Sequence, residues 1–117
     1  MIRIKRVYSE PSARDGIRIL VDRVWPRGFS KERARIDAWQ KDLAPSTPLR
    51  KWFAHDPAKW IVFRKRYRKE LVQSARVGEL KELAALSRGR TVTLVFGAVD
   101  EEHNQAVVLK ELIDDLR

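Results

Sequence analysis

The chain opens on an alternation: in "IRIKRVY", residues 2–8, Ile2, Ile4 and Tyr8 fall at even spacing, the pattern of a strand with one wet face. "SEPSARDG" follows as a loop, with Pro11 and the Asp15-Gly16 pair as turn signals. The next apolar run, Ile17 to Trp25, is more continuous and predicts a strand in the sheet interior. It then changes character. "DRVWPRG" closes it with Asp22, Arg23, Trp25, Pro26, Arg27 and Gly28, more charge and aromatic surface than a connecting loop needs.

Beyond Gly28 the period becomes helical. Ser30 is placed to cap a helix carrying Ile36, Trp39 and Leu43 on one face, ended by Ala44-Pro45. A second helix starts with Thr47 as cap and Pro48 at the first helical position, and a third repeats the device with Asp56 and Pro57. In that third helix Trp60, Phe63, Tyr67 and Leu71 form the apolar stripe, leaving Lys65, Arg66, Arg68 and Lys69 towards water. Gly78 is expected to break it, "ELKELAAL" to form a short helix, and Gly89 to stop that one. "TVTLVFGA", Thr91 to Ala98, predicts a third strand. The final helix is expected from near Asp100, with Ala106, Leu109, Ile113 and Leu116 buried.

These elements predict an α/β fold in one domain spanning residues 1–117: about three strands with a parallel central pair, flanked by about five helices. About sixty mainly helical residues separate the second and third strands, the connection a parallel pair requires and a hairpin does not. Parallel strands share a carboxyl edge, where open α/β sheets commonly bind ligands. The topology therefore predicts that Trp25, Arg27 and Gly28 converge on Asp100, His103 and Asn104.

Bulk composition narrows the classes. A chain of 117 residues with 44% apolar residues buries about two thirds of its unfolded surface in one core. No apolar run approaches the roughly 18 residues of a membrane span, and the alternating N-terminus lacks the apolar block of a signal peptide. A cytoplasmic protein with no membrane partner is expected. The absence of cysteine excludes disulfides, thiolate metal sites and cysteine nucleophiles. Net charge is +9, but residues 100–117 hold six acidic and two basic side chains, a balance of −4, so the first 99 residues carry +13. Such a field favours anionic partners without naming one.

Three stretches, "RILVDRVWPRG", "APSTPLRKWFAHDPAKWIVFRKRYRKEL" and "VTLVFGAVDEEHNQAVVLKELI", resemble the family known as domain of unknown function 488, in particular its short YeaO-like branch. The resemblance covers essentially the whole chain. It implies a small bacterial cytosolic α/β domain and brings no established reaction or ligand. Some relatives carry the label uroporphyrinogen methyltransferase, but this chain has no glycine-rich cofactor loop and is short for that enzyme.

The residues themselves offer limited chemistry. Asp22 and Arg23 are neighbours on a strand and face opposite ways; a buried Asp22 needs a partner, and an ion pair with Arg50 or Arg64 locking helix to sheet is one reading. Trp25 and Pro26 read first as a packed corner. Arg27, after a strand and ahead of a helix N-terminus, together with the backbone at Gly28, is a candidate anion holder. His55, before Asp56-Pro57, orients a turn or joins the ligand. His103, three residues after Asp100, is a candidate general base oriented by that carboxylate, with Asn104 beside it; the alternative is ordinary acidic polarity at a helix start. No metal site is predicted, since no HExxH-type spacing occurs and the two histidines stand about fifty residues apart. There is no GxSxG elbow, Walker loop or GxGxxG fingerprint.

Two function classes follow. The first is an enzyme or sensor holding a small phosphate- or nucleotide-like anion at the sheet's carboxyl edge, with Arg27, His103 and Asn104 in the pocket and Arg23, Arg50 or His55 joining if the helices fold over it. The second is a nucleic-acid-binding module using Lys65, Arg66, Arg68 and Lys69 on the basic helix of residues 57–76. A partner-binding accessory role is the plain third possibility.

Overall fold

A computed structural model describes all 117 residues. Strands β1 (Ile2–Arg6), β2 (Ile17–Leu20), β3 (Ala38–Trp39) and β4 (Val92–Phe96) form one sheet in the order β1-β4-β2-β3. Every pairing is parallel. Helices α1 (Lys31–Ala34), α2 (Thr47–Phe53), α3 (Trp60–Gln73) and α4 (Val77–Gly89) lie between the strands and α5 (Gln105–Leu116) follows β4, with short 3-10 turns at Ala13–Asp15, Lys41–Leu43 and Pro57–Lys59.

Central position explains β4. All five residues of "VTLVF" are buried, as both faces of a parallel strand are covered by its crossovers. Alternation divides them: Val92, Leu94 and Phe96 join Ile19, Val21 and the apolar stripes of α3, α4 and α5 in the main core, while Val95 joins Leu20, Val7, Ala34 and Ile36 on the opposite face. That second face is thin, and polar groups complete it. Arg18, buried there, pairs with buried Asp15 at 2.6 Å and donates to the Ala34 and Arg35 carbonyls. Gly16 is required beside them: its φ is +63°, and a Cβ would lie 2.1 Å from the Thr91 carbonyl oxygen.

Several sequence expectations are corrected. The helix expected from Ser30 to Leu43 is a single turn, which Ser30 does cap at the Arg33 N–H. It stops at Arg35 in the left-handed region, and Ala38–Trp39 then pairs with β2 as a fourth strand. Ile36, Trp39 and Leu43 therefore share no helix face. β2 ends at Leu20 rather than Trp25, although the Val21 N–H extends the ladder by one bond to Val95. Ser46, not Thr47, caps α2. Gly78 lies inside α4, and the break falls at Ser74. Asn104, not Asp100, caps α5, accepting from the Ala106 and Val107 N–H groups. No helix is long and apolar enough to cross a membrane.

Candidate functional site at the carboxyl edge

The parallel ladder carries β2 and β4 to the same edge. There the chain leaves β2 as Val21-Asp22-Arg23 and β4 as Gly97-Ala98. The Asp22 carboxylate bridges the two exits: Oδ2 accepts the Gly97 N–H at 2.9 Å and Oδ1 accepts the Gln105 side-chain amide. Trp39 fixes the same turn by donating its indole N–H to the Asp22 carbonyl at 2.7 Å. Burial pushes the Asp22 carboxyl up to about 6, against the lowering effects of the Gly97 N–H, Gln105 and the nearby His55 charge.

The ion pair expected for Asp22 is corrected. Its partners are these two neutral donors, because the expected arginines are directed elsewhere: Arg64 is drawn across to Glu111 on α5, at 2.5 and 2.8 Å, and Arg50 makes no ion pair.

Asp22 lines a cavity of about 260 Å³. Its basic groups are Arg23, Arg50 and His55; its apolar walls include Tyr8, Pro45, Phe53 and Phe63. The Phe53 and Phe63 rings stack at 4.1 Å. Arg23 is anchored loosely, donating to the Ala44 and Pro45 carbonyls at 3.4 Å. Arg50 is exposed on α2 with no hydrogen-bonded partner for its guanidinium.

His55 reaches the cavity through an unusual backbone. Ala54 and His55 are consecutive non-glycine residues with positive φ, 47° and 57°, a conformation sparsely populated by L-residues. The α2 cap bond from the Ala54 N–H to the Arg50 carbonyl, the Asp56 N–H to Phe53 carbonyl bond, and the Asp56 carboxylate on the Ala58 N–H together hold this reversal.

The other expected residues lie outside the cavity lining. Trp25 donates its indole N–H to the Phe29 carbonyl at 2.7 Å and meets Trp39 edge-on, as a packed corner does. Arg27 and Gly28 are exposed on the loop beyond it, Gly28 at φ +80°. His103 Nδ1 sits 2.9 Å from Asp100 Oδ2, and its ring lies edge-on to Trp60. Asp100 also accepts the Glu102 and His103 N–H groups, which with the imidazole hold its carboxyl below the ordinary range. Asn104 is buried as the α5 cap. Pro26 and Gln105, each one residue from a named candidate, do line the cavity.

On the basic helix the four cations divide. Arg68 pairs with Glu111 and Asp115, while Lys65, Arg66 and Lys69 are exposed and Arg66 packs 4.6 Å from the centre of the Trp52 ring.

The family model for the inactive DUF488-N3 subclade matches residues 1–116. The chain belongs to the DUF488 family. Among its DUF488 relatives, the uncharacterised protein YeaO of Escherichia coli K12 is 40% identical over 115 residues, covering 98% of each chain. An uncharacterised protein of Mycobacterium tuberculosis H37Rv is 40% identical over 113 residues, covering 97% of this chain and 93% of the other. No solved structure matches this DUF488 chain.

Proposed function

We propose that this protein is a binding or sensing module for a small phosphate-like anion, held at the carboxyl edge of the sheet by Arg50 and His55 with Arg23 behind them. The observation that carries this reading is the placement of basic side chains without carboxylate partners. Arg18, Arg64 and Arg68 each have a carboxylate partner, whereas Arg50 and His55 line the cavity with none within ion-pair distance. An oxyanion supplies the counter-charge and the acceptors that a guanidinium otherwise takes from water. The designation of the subclade as inactive sets binding ahead of turnover.

Isothermal titration with inorganic phosphate and pyrophosphate tests the reading. Arg50→Glu is expected to weaken binding more than about tenfold, because it reverses a charge that contacts the anion directly. Arg27→Glu leaves binding unchanged. Equal loss in both variants, or no binding to the parent protein, contradicts the proposal.

The exposed Lys65, Arg66 and Lys69 beside Trp52 favour a second reading, single-stranded nucleic acid on a basic and aromatic surface. Oligonucleotide affinity that falls steeply with salt and is lost on neutralising these three residues supports it.

A further inference from the structure

The anion-binding reading leaves one group unexplained: a carboxylate stands inside a cavity otherwise furnished with cations. Asp22 is satisfied within the protein by one donor on each oxygen, the Gly97 N–H and the Gln105 amide. A carboxylate oxygen accepts more than one hydrogen bond, so both retain acceptor capacity, and the side chain lines the cavity. A bare oxyanion placed there is repelled by Asp22 while Arg23, Arg50 and His55 attract it. A ligand carrying a hydrogen-bond donor at its other end turns that repulsion into a charge-assisted bond. Such a site rejects the analogue lacking the donor, because a buried acceptor is then left facing an apolar group.

Three constraints keep Asp22 where it can make that distinction. A side chain at position 97 would crowd it, since a Cβ there lies 2.9 Å from Oδ2. Gln105 opens α5, the first residue after the buried Asn104 cap, so its donor is carried on a fixed helix end. Trp39 ties down the Asp22 carbonyl. The stacked Phe53 and Phe63 rings give the same cavity an apolar wall, against which the carbon body of a ligand can lie.

We propose that Asp22 is the specificity-determining residue of this cavity, and that its ligand is a small phosphate- or carboxylate-bearing molecule which also presents an N–H or O–H donor to the Asp22 carboxylate. The inference rests on the anion-binding reading and adds the second recognition element to it.

Calorimetric titration of the full chain with ethyl phosphate, 2-hydroxyethyl phosphate and 2-aminoethyl phosphate separates the two. The parent protein is expected to bind one or both donor-bearing compounds about tenfold tighter than ethyl phosphate, the scale of one hydrogen bond to a charged group. In Asp22→Asn, ethyl phosphate binds more tightly than it does to the parent and the preference shrinks to within about twofold. Ethyl phosphate bound as well as both donor-bearing compounds by the parent protein, or a preference that survives in Asp22→Asn, overturns the inference and leaves the anion-binding reading standing. Failure of all three compounds to bind the parent overturns both. The parent's ratio needs no variant, so it decides the matter even if Asp22→Asn does not fold.

Discussion

The Asp22 carboxylate accepts the Gly97 backbone N–H at 2.9 Å, so one side chain at the end of β2 fastens the end of β4. This bond closes the sheet's carboxyl edge after its regular ladder has run out. It also places the acid in the lining of the cavity that Arg23, Arg50 and His55 share.

Asp22 gives stability a specific dependence on pH. Its folded value, about 6, lies above the ordinary carboxyl value of 3.8, so its favourable contribution is fully present below 3.8 and is lost as pH rises through 6. Carrying the carboxyl from 3.8 to about 6 corresponds to about 3 kcal/mol. Denaturant unfolding of Asp22→Asn between pH 4 and pH 6.5 is expected to show a shallower decline than the parent. Asp15, Asp100 and Asp114 have lowered values; their stabilisation is lost as pH falls below the ordinary carboxyl range, outside this window.

Gly97→Ala tests the contact from the backbone side. Its added Cβ falls 2.9 Å from Asp22 Oδ2, closer than real side chains tolerate, so that oxygen must shift away from the Gly97 N–H. A loss of about 1 kcal/mol in urea unfolding is expected, the size of one weakened hydrogen bond, with altered phosphate affinity. Retention of both properties would show that Asp22 is freely adjustable.

Ala54→Gly is expected to stabilise the fold by about 0.5–1 kcal/mol, because glycine occupies the left-handed region without the Cβ penalty. Phosphate affinity should fall as the strained mounting of His55 loosens. Thermal unfolding and titration of the same sample check the two opposed effects.

The buried pair on the other face is structural. Arg18→Met leaves Asp15 buried with only Lys5, 3.1 Å away, as a cationic partner, and is expected to cost about 3 kcal/mol, the range for breaking a buried pair. Exposed Arg14→Met is expected to stay within about 0.5 kcal/mol. Chemical denaturation compares them directly.

How much of this was readable in the chain follows from what each residue depends on. The long helical excursion between Ile17 and Ala98 dictated parallel strands, and that alone brought Asp22, Arg23 and the end of β4 together. Ala38–Trp39 was hidden, because two residues carry no period and their strand exists only through pairing with Ile19 and Leu20. The sequence expectation of Arg27 and His103 falls several residues further along each loop than the cavity lining does. The chain turns in at Asp22 and Gly97, and Arg27 and His103 lie beyond those turns. Gln105 carries no motif or spacing signal of its own in the sequence, standing one position after Asn104. Only the fold shows that the cap is buried and its neighbour faces the cavity. Local spacing likewise made the Asp100–His103 contact legible: three residues apart, they meet at 2.9 Å in the turn that leads to α5.

Amide chemical shifts followed through a phosphate titration locate the bound anion on the chain. Saturable shifts are expected at Asp22, Arg23, Gly97, Ala98 and residues 50–55. Shifts confined to Lys65–Lys69 and Trp52, or spread along Arg27–Ser30 with the β2 and β4 ends unmoved, would contradict the anion-binding reading.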